Sequence, residues 1–261
     1  MQPHEQISAA IAAAAPATAL VAYITAGYPE RDRFGEHLLA TADAADVLEI
    51  GVPFTDPMAD GLTIQRSSQA ALEAGVSLTW ILDEIGSLPR PPGAPLVLMS
   101  YLNPLLAFGY EALARRAAEV GVAGFIVPDL PLDESSELDA ALAAEGLALI
   151  QLVTPVTEDE RLAANCRASR GFVYAVTVAG ITGGKADGGE IAGYLGKLAK
   201  LSGVPVCAGF GVRSPEQVAE IGRHVPGVVV GSALVEALER GEDPAAFVRW
   251  LRGDTEARVH G

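Results

Sequence analysis

The fold class this sequence predicts is a single (β/α)8 barrel, the TIM-barrel class, and three observations predict it. Eight short apolar runs recur, each followed by Gly, Pro, Asp or Thr and then by a helix-spaced pattern, the mark of strand-to-helix units on a parallel sheet. The chain has 261 residues, half of them apolar, which suits one barrel of about 250 residues with a large buried core. No G-x-G-x-x-G follows the first run, so the competing doubly wound sheet lacks its fingerprint. No linker or compositional break divides residues 1–261, and one domain is expected.

The elements follow in order. Ile7 to Pro29 carries no charge and contains an Ala-rich run, but Glu5 precedes it without any Lys or Arg, and Pro16 interrupts it. It reads as an extra N-terminal helix, a break and a strand Leu20–Thr25, not as a signal peptide or membrane span. Further strands are expected at Val47–Gly51, Leu96–Ser100, Gly124–Val127 and Leu147–Val153, then at Phe172–Val176, Pro205–Ala208 and Gly227–Val230. The long gap after the second strand holds a helix over Leu62–Ala74 and leaves room for an extra helix near Leu78–Ser87. Thr157 with Glu160 and Ser214 with Gln217 have capping-box spacing, and Pro215 and Pro244 suit first turns. Gly75, Gly121 and Gly146 fall where helices should stop.

Eighteen Lys and Arg against 33 Asp and Glu leave a net charge of −15, which repels nucleic-acid backbones and anionic lipid surfaces. Neither is expected as a partner. The two cysteines, Cys166 and Cys207, make no disulfide framework; they read as core fillers in a cytoplasmic chain. His4, His37, His224 and His260 lack metal-ligand spacing, so no metal site is expected. Catalysis must rest on other groups, and in this fold those lie at strand C-terminal ends and in the loops after them.

Glu49 alternates with Leu48 and Ile50, so it faces the barrel interior while they face the helices. A carboxylate there either holds a proton, as a general acid does, or is tied to an Arg or to backbone donors. In the next loop, Val52–Gly61, Asp60 is the second candidate carboxylate, with a helix cap as the alternative. Asp56 reads as a turn or partner-surface residue, and Asp129 as a loop-fixing one. Tyr101 and Tyr174 stand at strand ends and either fill core or wall an aromatic pocket. Three glycine-containing loops, Gly180–Gly184, Gly209–Gly211 and Gly231–Ala233, follow strands six to eight, where barrels of this class often hold a phosphate on backbone amides. Lys185 is placed to assist them.

The segment LEIGVPFTDPMADG at Leu48–Gly61 closely resembles the signature of the tryptophan synthase alpha chain family. MSYLNP at Met99–Pro104, IVPDLP at Ile126–Pro131, AGITG at Ala179–Gly183, GFG at Gly209–Gly211 and VGSA at Val230–Ala233 follow in that family's order, and the likeness runs from about Leu20 to Leu251. The resemblance implies a lyase that splits indole-3-glycerol phosphate into indole and glyceraldehyde 3-phosphate. It implies catalytic roles for Glu49 and Asp60 with help from Tyr174, and phosphate contacts at Gly183, Gly211, Gly231 and Ser232. Tyr101, Phe210 and Thr182 would line the substrate pocket. No cofactor is implied in this chain; pyridoxal phosphate belongs to a beta-chain partner in an alpha2beta2 complex, touched through Pro53 and Asp56. Leu62, where the family usually has Pro, and the glycine-rich GGKADGG at Gly183–Gly189, where an Arg is common, depart from the pattern. A free-standing lyase, another phosphate-sugar barrel isomerase and a catalytically silent activating subunit are the rival readings.

Overall fold

The computed structural model describes residues 1–177, 188–209 and 211–254. Eight parallel strands close into a barrel in sequence order: β1 (Ala19–Thr25), β2 (Val47–Gly51), β3 (Leu96–Met99), β4 (Val122–Ile126), β5 (Ala148–Val153), β6 (Val173–Val176), β7 (Val206–Gly209) and β8 (Gly227–Val230). β8 pairs back onto β1, with Leu20 beside Val228, which closes the sheet on itself. The helices are α1 (Pro3–Ala13), α2 (Phe34–Ala44), α3 (Leu62–Glu73), α4 (Leu78–Gly86), α5 (Leu102–Phe108) and α6 (Tyr110–Glu119). They continue with α7 (Ser136–Ala144), α8 (Asp159–Ala168), α9 (Gly188–Leu201), α10 (Pro215–Gly222), α11 (Ser232–Glu239) and α12 (Pro244–Leu251). The expected extra helix after the second unit is α4, started by the Ser77 hydroxyl accepting from the Trp80 amide at 3.2 Å.

Period-two alternation sorts the strands into two cores. Leu20, Leu48, Leu98 and Phe125 point outward and pack against helix residues such as Leu38, Ile81, Leu113 and Leu234. Val21, Val47, Val97, Ala148, Phe172, Cys207 and Val229 point inward and meet at the lower end of the lumen. There α1 lies across the barrel floor, inserting Ile7 and Ile11 into that inner cluster. Ser8 donates to the Gly171 carbonyl at 2.5 Å, and the His4 amide to the Gly146 carbonyl at 3.1 Å. Gly146 ends α7 with φ +70°, and a Cβ on it would meet Gln2 Oε1 at 2.2 Å, so glycine there serves both the stop and the docking of α1.

One cap differs from expectation. α8 has Glu158, not Thr157, at its N-cap, because the Thr157 hydroxyl accepts from the Thr154 amide at 3.2 Å and so closes the preceding turn instead. Ser214 does cap α10, but Gln217 accepts from the Arg213 amide at 2.7 Å in place of a reciprocal bond to Ser214. Both cysteines are buried and free. Among the described residues no helix is long and apolar enough to cross a membrane, and no cluster of residues could hold a metal ion.

Candidate active site

Glu49 sits in the middle of β2 with its neighbours turned to the outer core, and it is 1% exposed. Its Oε2 has no hydrogen-bond partner among the described residues, so neither an Arg nor a backbone donor from them ties it down. Burial first, and the nearby Asp60 second, push its carboxyl up to about 8. At neutral pH it therefore holds its proton.

Asp60 stands where the Val52–Gly61 loop turns into α3, but it is not the cap: Gly61 occupies that position and makes no side-chain cap bond. The nearby Tyr101 hydroxyl favours its ionised form. The oxygen of that hydroxyl accepts the Ala59 amide at 2.9 Å, so its proton is free to point toward the carboxyl. Burial raises Asp60 and the Tyr101 hydroxyl holds it back, for a value of about 6. Two carboxyls of one chamber are thus poised on opposite sides of neutrality.

Tyr101, buried at the exit of β3, carries the loop: Phe54 stacks on its ring at 5.1 Å and 24°. Burial pushes its phenol up to about 12. Tyr174 faces the lumen from β6, with its ring 6.2 Å from Phe172. Burial first, and the Glu49 carboxyl second, keep its proton on well above the usual range, so it acts as a neutral phenol that can donate a hydrogen bond. Across the mouth, Gly211 follows β7 with φ +70°, a conformation that L side chains avoid. Gly231 precedes α11, whose first intrahelical bonds run from the Leu234 and Val235 amides to the Gly231 carbonyl. The Ser232 and Ala233 amides come before those bonds, at the positive end of the helix.

The remaining sequence candidates fall in different places. Asp129 accepts the Leu102 amide at 2.9 Å and so starts α5, the loop-fixing role expected of it. Asp56 is exposed and accepts the Thr55 hydroxyl at 2.6 Å, whereas Pro53 is buried at the root of the loop. Gly180, Thr182, Gly183, Lys185 and Phe210 lie outside the described residues. One lumen residue escaped sequence reasoning. Tyr23 lies on β1 opposite Glu49, and its alternation with the inward-facing Val21 is the signal that identifies it.

A protonated acid, an ionised carboxylate, fixed phenols and a helix N-terminus across the mouth suit acid and base work on an anionic substrate with a ring that gains charge. The family model for the tryptophan synthase alpha chain matches residues 10–252. The chain belongs to the tryptophan synthase alpha chain family. Among its relatives, the tryptophan synthase alpha chain of Nitratidesulfovibrio vulgaris (strain DP4) is 44% identical over 241 residues, covering 91% of this chain and 93% of that one. That of Desulfovibrio desulfuricans is 45% identical over 251 residues, covering 94% and 98%. A solved tryptophan synthase chain from M. tuberculosis superposes with a TM-score of 0.86 at 36% identity, over 97% of this chain and 98% of that one. The alpha subunit from Legionella pneumophila gives 0.86 at 30% identity over 98% of each chain.

Proposed function

We propose that Glu49 and Asp60 carry the cleavage of indole-3-glycerol phosphate to indole and glyceraldehyde 3-phosphate. Membership of the alpha chain family makes the chain a lyase of tryptophan biosynthesis. The observation that supports this division of labour is the buried Glu49, whose Oε2 has no partner among the described residues and whose carboxyl is raised to about 8, beside an Asp60 held at about 6.

Protonated Glu49 gives its proton to indole C3, which turns the ring into a cationic electron sink. The carboxylate left behind takes the proton of the hydroxyl on the adjoining side-chain carbon. That carbon becomes a carbonyl, its bond to C3 breaks, and the bond electrons return to the ring as neutral indole. Glu49 ends protonated as it began. Ionised Asp60 accepts the ring N–H and stabilises the charge that grows on the indole toward the transition state. Tyr174 donates a hydrogen bond within the same chamber.

Gly211, Gly231 and Ser232, with Gly183 of the preceding loop, hold the phosphate, and Tyr101, Phe210 and Thr182 line the ring's pocket. Only protons move, and the indole ring itself accepts the electrons, so the chain needs no cofactor of its own for this step. The enzyme is a single barrel domain spanning residues 1–261. Its partner is a tryptophan synthase beta chain, which carries pyridoxal phosphate in an alpha2beta2 complex. The exposed Met58, Leu62 and Val156, at 85%, 84% and 90%, stand with Asp56 on the mouth side and support a covering partner there.

Glu49→Gln keeps size and hydrogen bonding and removes the titrating proton. Indole release from indole-3-glycerol phosphate is expected to fall by at least about a hundredfold. Unchanged release would refute the assignment of Glu49.

A further inference from the structure

The cleavage steps make no use of Tyr23. It pairs with Glu49 directly across the β1–β2 ladder, and both side chains enter the lumen. The phenol does not stay level with Glu49. A Cβ built on Gly51, the next inward position of β2, would meet the Tyr23 hydroxyl oxygen at 1.9 Å and the ring carbon bearing it at 2.5 Å. The phenol thus fills the side-chain space that Gly51 leaves vacant, between Glu49 and the loop that carries Asp60. Ile64 of α3 and Val235 of α11 pack around it.

A chain of hydroxyls runs from this phenol into α3. Ser67 donates to the Ile64 carbonyl at 2.9 Å, Thr25 Oγ1 lies 2.7 Å from Ser67 Oγ, and the Tyr23 oxygen lies 3.4 Å from Thr25 Oγ1. Each hydroxyl has one proton. With Ser67's proton committed to a carbonyl, Thr25 donates to Ser67, and the Thr25 oxygen is left to accept from Tyr23. At 3.4 Å that last link is long for an O–H···O bond, so the phenol proton is only loosely held by Thr25. α3 begins immediately after Asp60 and Gly61, so the chain ties the phenol to the helix behind Asp60.

We propose that Tyr23 is a positioning residue of the carboxyl pair: its phenol, seated over Gly51 and tethered through Thr25 and Ser67, sets how Glu49 and Asp60 stand to each other and offers its proton to whichever is ionised. The proposal rests on the assignment of Glu49 and Asp60 as the catalytic pair. Tyr23 keeps its proton throughout, because burial and both carboxyls hold it far above its usual range. The titratable groups around it are Glu49 of β2, Asp60 and Tyr101 of the loops after β2 and β3, Tyr174 of β6 and, beyond Glu49, Cys207 of β7. α3 and α11 present Ile64, Ser67 and Val235, none of which titrates. No Arg or Lys among the described residues acts on Glu49 or Asp60.

Tyr23→Phe retains the ring and deletes the hydroxyl; Thr25→Val cuts the tether and Thr25→Ser keeps it. In the first two, kcat for indole release should fall about tenfold with KM within about twofold, and the acid limb of the kcat/KM profile should move up by about half a pH unit, since a dipole favouring the ionised carboxylates is lost. Thr25→Ser should match the unsubstituted chain. Unchanged kcat and profile in Tyr23→Phe, or Thr25→Ser behaving like Thr25→Val, overturns the proposal. A carbon-13 titration of the Glu49 and Asp60 carboxyls reads the same effect without turnover, with both values expected to rise in Tyr23→Phe and unchanged values counting against Tyr23. Absence of indole release by the unsubstituted chain would sink the reading of the pair, and the titration would still judge Tyr23.

Discussion

Glu49 and Asp60 carry the same functional group, and their surroundings make them behave differently. Among the described residues Glu49 Oε2 has no donor to favour the anion, while Asp60 has the Tyr101 hydroxyl. The pH dependence follows with a definite sign. Below about 6, Asp60 takes up a proton and loses the charge it would offer the ring in the proposed mechanism; above about 8, Glu49 loses the proton it would donate there. kcat/KM for indole release should therefore be bell-shaped, with its maximum near about pH 7. A profile still rising at pH values well above 8 would contradict the acid role.

At this scale the sequence is informative where one strand's alternation decides orientation. The flanking Leu48 and Ile50 are enough by themselves to turn Glu49 into the lumen. The same rule applied to β1 singles out Tyr23, whose phenol shows its importance only beside Gly51 of the next strand. The hold of Tyr101 on the Ala59 amide, and its influence on Asp60 beside it, have no local signal, because they depend on a loop folding back over a different strand.

Among the elements, the eight strands lie within two residues of their sequence-derived bounds, since each inner and outer face must alternate to fill two cores. Spacing misplaces the α8 start because a threonine hydroxyl has more than one nearby amide to serve, and spacing does not rank them. Two substitutions probe the elements directly. Gly211→Val would force a β-branched side chain into φ +70°, distorting the turn proposed to hold the phosphate. Because that group is held before and during reaction alike, KM should rise about tenfold or more with kcat little altered, and steady-state kinetics check this. Ile11→Ala leaves a void between α1 and the barrel floor, where Ile11 is 1% exposed. Urea unfolding should show a loss of about 2–5 kcal/mol with kcat retained, since the floor lies at the opposite end from Glu49.

For the whole molecule, composition excludes partners more readily than it names one. A net charge of −15 argues against polyanions, yet the chain must take up a phosphate ester. In the proposed site, the amides at the start of α11 reconcile the two. Leu62, the departure from the family's usual Pro, is the first residue of α3, a position that accepts proline or leucine alike without changing the helix. If a beta chain covers the mouth and steadies the Val52–Gly61 loop, indole release should rise at least about tenfold on its addition. Equal rates with and without it would favour a free-standing lyase.

The helix across the barrel floor has a consequence for traffic. With Ile7 and Ile11 stoppering the lower end, the described residues close the chamber at its floor and leave the mouth as the way in and out. A beta chain resting on that mouth, as proposed, would meter departure as well as arrival, so an apolar product released beside Glu49 would meet it before reaching bulk water.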